Sequence, residues 1–303
     1  ELEVRTGAPA GIHYRGRSLE FAPPLALAVG RSAIELGGRL PVRAGAPAGT
    51  VDLKGRLDLA DTGTVFTPPE GFGLEGVLDL DLVLSGAYGD FAVTGGFGLD
   101  DGTIRIPRAA APMTEASVRG KIESGVLVLE RAGAKWGRGR IGLSGTVPLG
   151  LLPEDLPLEF ARGTGPAEFV LDVEDFAPEA TGFLPEGISG LVSLRATGRA
   201  DHPDLQALDG EIRFGALDLK VDTIGFSQAE PVLIEIRRGV ATIARLALSG
   251  PETRIEASGT AGVYPRGPLD LAVEGSLDAG LLGVSKSQLP YRPTASRRAP
   301  SGG

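Results

Sequence analysis

The stretch Gly137 to Val147, GRGRIGLSGTV, recurs in two further copies, IELGGRL at Ile34 to Leu40 and IEASGTA at Ile255 to Ala261. Ile34, Ile141 and Ile255 are separated by 107 and 114 positions, so a unit of nearly constant length repeats. A long internal period decides architecture before any motif is read. The connectors DLADTGTVF at Asp58, DFAPEATGFLPEG at Asp175 and DAGLLG at Asp278 recur in the same order, each expected to hold at most a helical turn.

Between these markers the chain alternates. In GVLDLDLVLSG, Gly76 to Gly86, Leu78, Leu80, Leu82 and Leu84 fall on one face of a strand and Val77, Asp79, Asp81 and Val83 on the other. The same separation gives Ile141, Leu143 and Val147 against Arg140, Ser144 and Thr146. It gives Val232, Ile234 and Ile236 against Leu233 and Glu235, and Leu269, Leu271 and Val273 against Asp270, Ala272 and Glu274. Turn formers punctuate these runs every ten residues or so. Asp101-Gly102 and Asp209-Gly210 read as hairpin turns, Gly120, Gly125 and Gly137 to Gly139 as further breaks, and Pro23-Pro24 as an interruption of SLEFAPPLALAVG. With 46 glycines in 303 residues and no sustained helical spacing, the expected fold is all-β. The expected organisation is a partial repeat module over 1–60, a full module over 61–175, and a second over 176–284 continuous with the first. A basic tail over 285–303, SKSQLPYRPTASRRAPSGG, is expected to be disordered.

Composition narrows the function. A net charge of −9 and a pI near 4.9 lack the basic face that displaces counterions from nucleic acid, so no nucleic-acid partner is expected. The absence of cysteine excludes disulfides, thiolate metal sites and cysteine nucleophiles. No run of about 18 apolar residues offers a membrane-spanning helix. Glu1 is not a start methionine and no leader follows it, so the chain is expected to be a processed product or a piece of a longer one.

Chemistry-bearing motifs are scarce. The two histidines, His13 and His202, stand apart, and His202 lies in the turn-forming DHPD. The acid pairs Asp100-Asp101, Glu154-Asp155 and Glu174-Asp175 sit beside turns or prolines, and neighbours on a strand point opposite ways. No GxSxG elbow, dinucleotide fingerprint, P-loop or calcium nonapeptide occurs. Neither an enzymatic activity nor a cofactor or metal is expected. Trp136, between Lys135 and Arg138 in sequence order, is expected to pack on a strand rather than to anchor at a membrane interface.

The ordered series GVLDLDLVLSG, GFGLDDGTIRIP, AAPMTEASVRGKI, VLVLE and GRGRIGLSGTV resembles the AsmA-like superfamily, and within it the TamB (translocation and assembly module) proteins of diderm bacteria. The likeness covers Gly76 to Val147 well and Gly190 to Ala261 more loosely. It implies a long twisted sheet curled into an open apolar groove, a β-taco, in the periplasm. It also implies inner-membrane anchoring in the full-length protein and movement of phospholipid between inner and outer membranes, with acyl chains as the partner. An outer-membrane β-barrel assembly partner is a further implication. The groove-lining candidates are then Leu78, Leu80, Leu82, Leu84, Ile141, Leu143, Val147, Val232, Ile234, Ile236, Leu269, Leu271 and Val273. The membrane helix and C-terminal domain of that family are not found in this chain. A structural or adhesive cell-surface β-solenoid is the alternative, but its coils repeat at about 20 to 30 residues, far below the period here. A carbohydrate-active β-helix would need aromatic platforms, and aromatics are 5% of the chain.

Overall fold

The computed structural model describes residues 4–6, 11–60, 70–151, 163–182, 184–185, 187–222, 224–251, 253–265 and 267–276. The expected basic tail, the pair Glu154-Asp155, and most of the connectors at Asp58 and Asp278 lie outside them. Eighteen strands form one antiparallel sheet. They are β1 (Val4–Thr6), β2 (Ile12–Arg15), β3 (Ser18–Val29), β4 (Ser32–Pro41), β5 (Gly49–Asp58), β6 (Gly73–Ala87), β7 (Asp90–Arg105), β8 (Met113–Glu123) and β9 (Val126–Trp136). These are followed by β10 (Gly139–Pro148), β11 (Ala167–Phe176), β12 (Ile188–Ala200), β13 (Leu208–Val221), β14 (Ile224–Gln228), β15 (Val232–Arg237), β16 (Val240–Gly250), β17 (Thr253–Gly262) and β18 (Leu269–Ser276).

From β3 to β13 each strand pairs with the next in sequence. β14 and β15 then share one row between β13 and β16, and β1 and β2 share the row outside β3. The ladder crosses residue 60 through the β5–β6 pair and residue 175 through β11–β12 without a gap. Helical structure among the described residues is limited to short 3₁₀ turns such as Pro178–Thr181, in the second connector.

Tight hairpins are made where both central residues take positive φ, at Gly16-Arg17, Ser124-Gly125 and Arg238-Gly239. Four sequence expectations are corrected here. Asp101-Gly102 is no hairpin: it lies inside β7, where Asp101 (φ 55°) forms a bulge that shifts the register between Leu99 and Gly102. An Asp-Gly pair supplies positive φ, and a bulge uses that as readily as a turn. Asp209-Gly210 is also within a strand, paired regularly with Arg199 and Gly198. Gly120 sits mid-strand in β8, because the Phe97 ring occupies the place of its side chain: a Cβ there would lie 2.4 Å from the ring's Cζ. Pro23-Pro24 does not divide β3; the strand absorbs both prolines in a bulge between Phe21 and Leu25.

The three signature copies are equivalent in space. They form β4, β10 and β17, and in each the preceding strand bulges opposite the same two positions. β3 slips between Phe21 and Leu25 opposite Gly38 and Leu36. β9 slips between Leu129 and Ala132 opposite Gly145 and Leu143, and β16 between Ile243 and Leu246 opposite Gly259 and Ala257. On the other side of each signature strand the following strand comes unusually close. A Cβ on Gly38, Gly145 or Gly259 would lie 2.1, 2.2 or 2.1 Å from the carbonyl oxygen of Thr50, Glu168 or Asp270. The signature is therefore a backbone device: a bulge on one side and a close approach on the other.

Replacing Gly145 or Gly259 by Ala should cost about 2–3 kcal/mol, since the opposing strand must move. Gly142→Ala, whose Cβ would meet nothing nearer than 3.9 Å, should stay within about 0.5 kcal/mol. Urea denaturation of the three variants checks this ordering.

Candidate functional site: a continuous apolar face

Residues directly opposite in an antiparallel ladder project to the same side of the sheet. One such ladder runs from β3 to β18 through Leu27, Ile34, Gly55, Leu80, Phe97, Gly120, Leu129, Gly145, Phe169, Gly198, Gly210, Ile236, Ala241, Ala261 and Leu269. It contains no polar side chain. A second ladder on the same face joins Leu78, Leu99, Val118, Ala132, Leu143, Leu171, Ala196, Ile212, Ile234, Ile243, Gly259 and Leu271.

All thirteen sequence-derived candidates fall on this face. Leu80, Ile236 and Leu269 belong to the first ladder, and Leu78, Leu143, Ile234 and Leu271 to the second. Leu82 reaches Val147 through Gly95, Ile122 and Leu127. Ile141 reaches Val232 through Val173, Leu194 and Phe214. Leu84 stands between Val51 and Val93, and Val273 beside Ala257. Residues remote in sequence are thus strung along shared lines, though they do not converge on one point. Sequence reading missed Phe97, Phe169, Leu53, Leu171 and Ile212 on the same face, although the alternation in TVDLKGRLDLA, AEFVLDV and EIRFGALDL carries the signal.

Burial along the face is uneven: Val51, Leu99, Ala196, Val232 and Ile236 are buried. Leu78, Leu80, Leu82, Leu84 and Ile141 are only half-buried, and Leu143 and Leu271 are exposed. The tightest packing is local, where Leu217, Phe226 and Leu248 cluster with Val192, Phe214 and Ile255. Trp136 also belongs to this face. Its ring lies 5.3 Å from that of Phe176, and its Nε1 donates to the Ala111 carbonyl at 2.9 Å.

Two hollows lie behind the first ladder. Both are walled by the opposite, polar face: one, of 890 Å³, by Glu35, Lys54, Arg56, Asp79, Asp81 and Arg119, the other, of 520 Å³, by Thr146, Glu168, Thr197, Arg199 and Asp209. Most glycines of the apolar face have a local steric reason. The Phe169 ring fills the space over Gly198, and the Thr197 carbonyl approaches Gly210. Gly55 has none: a Cβ there would meet only ordinary contacts, the nearest at 3.6 Å.

The opposite face is charged and paired across strands. Arg195 meets Asp172 at 3.0 Å, Arg199 meets Glu168 at 3.4 Å, Arg39 meets Glu20 at 3.6 Å and Arg56 meets Asp79 at 3.9 Å. Arg245 bonds Glu256 at 3.1 Å, and that hydrogen bond holds the Glu256 carboxyl below its ordinary range. The stabilisation belongs to the ionised carboxylate, so it is present at neutral pH and is lost as pH falls through the lowered value. Exposed pairs of this kind contribute little individually and set register more than stability.

Among the described residues no three His, Asp or Glu side chains are grouped to hold a metal ion, and no helix is long and apolar enough to cross a membrane. His13 is exposed on β2 and His202 is exposed in a bend. No family model matches the chain, and no curated protein or solved structure matches it.

Gly55→Ala should stabilise the fold by about 0.5–1 kcal/mol, because alanine loses less backbone entropy and meets no clash. A loss of stability in thermal or chemical unfolding would contradict the open space assigned to this position.

Proposed function

We propose that this chain is a segment of a non-enzymatic lipid conduit of the AsmA-like, TamB type, holding phospholipid acyl chains on its apolar face. The observation that carries the reading is the apolar ladder, which runs from β3 to β18 without a polar side chain. Each CH₂ moved from water to an apolar surface gains about 0.8 kcal/mol, so an acyl chain crossing water faces a barrier on the order of 10 kcal/mol. A continuous apolar trough removes most of that barrier without a specific pocket. Headgroups remain in water, and the charged opposite face keeps the strip soluble. The setting is the periplasm, between an inner and an outer membrane reached through parts outside this chain. The sheet would curl around the lipid, with Leu78 to Leu84, Ile141, Leu143, Val147, Val232, Ile234, Ile236 and Leu269 to Val273 lining the groove. An outer-membrane barrel partner belongs to the same reading.

Trp136, the one tryptophan of the chain, reports on this directly. Phospholipids with brominated acyl chains should quench its fluorescence, whereas headgroup-labelled quenchers should not. Leu80→Glu with Leu82→Glu should remove most phospholipid that co-purifies from membranes, measured by mass spectrometry, with circular dichroism unchanged. Gly55→Val, which sets a branched side chain beside Ile34 and Leu80 on the apolar face, should lower the load more mildly. Lipid-free wild-type protein with unquenched Trp136 would sink the proposal.

A further inference from the structure

On the polar face of the third signature copy a carboxylate is held between two arginines. Arg245 stands in the bulge of β16, and its guanidinium bonds both oxygens of Glu256 on β17, at 3.1 and 3.3 Å. Arg254, on the same strand as Glu256, donates to that carboxylate at 2.8 Å. The second copy repeats the arrangement with one member missing. Matching the two bulges by register sets Leu129 at Ile243 and Ala132 at Leu246, so Arg131 takes the place of Arg245. Gly145 matches Gly259, which sets Arg140 at Arg254 and Gly142 at Glu256. Both arginines are kept, and the carboxylate between them is gone.

Nothing else on the described chain takes its place. Neither the Arg131 nor the Arg140 guanidinium makes an ion pair or hydrogen bond among the described residues. Arg131 also stands directly opposite Arg119 in the β8–β9 ladder, a like-charge pair that is destabilising unless an anion offsets it. Of the acids around this place, Glu115 is bonded to Lys135 and Asp172 to Arg195. Glu174 lies opposite Arg140 in the ladder without pairing with it, and Glu130 adjoins Arg131 in the bulge. Packing does not call for the glycine. A Cβ at Gly142 would meet nothing nearer than 3.9 Å, and one at its ladder partner Gly133 nothing nearer than 3.5 Å. The two glycines floor a hollow of 500 Å³ that Arg131, Arg140, Ser117 and Ser144 also line.

We propose that this hollow binds the carboxylate of an external small polar acid, held by Arg131 and Arg140 as Glu256 is held by Arg245 and Arg254. Hydrogen bonds between guanidinium and carboxylate are charge-assisted and so stronger than neutral ones. The hollow has room for more than a carboxylate, and the half-buried hydroxyls of Ser117 and Ser144 are placed to bond the rest of the molecule. The site lies on the face opposite the apolar ladders and stands whether or not those carry lipid.

The test follows the arginine Nε–Hε signals of the full chain by nuclear magnetic resonance, with succinate as the probe and inorganic phosphate and chloride compared at equal ionic strength. Succinate should move the Arg131 and Arg140 signals together and saturably, phosphate more weakly and chloride not at all. Arg131→Gln should weaken the binding read at Arg140 about tenfold. Gly142→Glu restores the missing carboxylate within the chain, so it should abolish the response to succinate and raise the midpoint of thermal unfolding. That rise should vanish when Arg131→Gln and Arg140→Gln are added, whereas Gly142→Ala should leave the response in place. A response stronger to phosphate than to succinate, shifts spread equally over Arg195 and Arg213, no saturable shift, or a Gly142→Glu protein that still responds would overturn the assignment.

Discussion

The structure depends on holding strand register across eighteen paired strands, and repeated backbone contacts contribute to it. In a two-layer protein a second layer punishes a slipped strand, because a shift of one residue carries every apolar side chain to the wrong face. Here a repeated local fault adds to that constraint: a bulge in β3, β9 and β16 opposite Leu36-to-Gly38, Leu143-to-Gly145 and Ala257-to-Gly259. The glycine of each copy then admits the next strand's carbonyl to within 2.2 Å of where a Cβ would be. A slipped strand would set a side chain against that carbonyl. Three such points, about one hundred residues apart, join the approaches at Gly86, Gly95, Gly190 and Gly210 in opposing a slip.

The all-β class and the two faces were legible in the sequence because they rest on period-two alternation, which survives single exceptions. Leu78 to Leu84 and Val232 to Ile236 needed no tertiary information. The glycines were harder, because one residue type serves different ends. Gly125 and Gly137 do lie in turns with φ of 73° and 60°, as their setting suggests. Gly120 and Gly198 instead make room for the Phe97 and Phe169 rings across the ladder, a relation between strands that adjacent residues do not encode. Asp101-Gly102 misleads for a different reason: positive φ is a local property, whereas turn or bulge is decided by whether the flanking segments pair with each other or with a third strand. The linear extent of the site was hidden as well. That Leu78, Leu143, Ile234 and Leu271 lie on one line depends on every bulge between them.

The charged face and the apolar face do different work. Cross-strand pairs such as Arg195 with Asp172 are exposed and contribute modestly. Their value lies in alternation of sign, which opposes mispairing. The apolar face contributes less to folding than its composition suggests. Leu80 and Leu82 keep part of their surface in water, so part of the roughly 25 cal/mol per Å² available from burial is unrealised in the isolated chain. The gain is realised unevenly, since Leu99, Val232 and Ile236 of the same face are buried.

Gly55 sharpens that point. Glycine inside a strand costs backbone entropy and offers nothing to pack. At Gly145 or Gly210 the cost is offset by an approach that no other residue permits. At Gly55 the surroundings would accept a side chain: Ile34 and Leu80 stand 3.7 and 3.8 Å from the position of its absent Cβ. Both belong to the ladder on which Gly55 lies. The fold therefore forgoes stability at a site where nothing in its own packing requires it. The gap it leaves lies on the same apolar line as Leu80, Ile236 and Leu269.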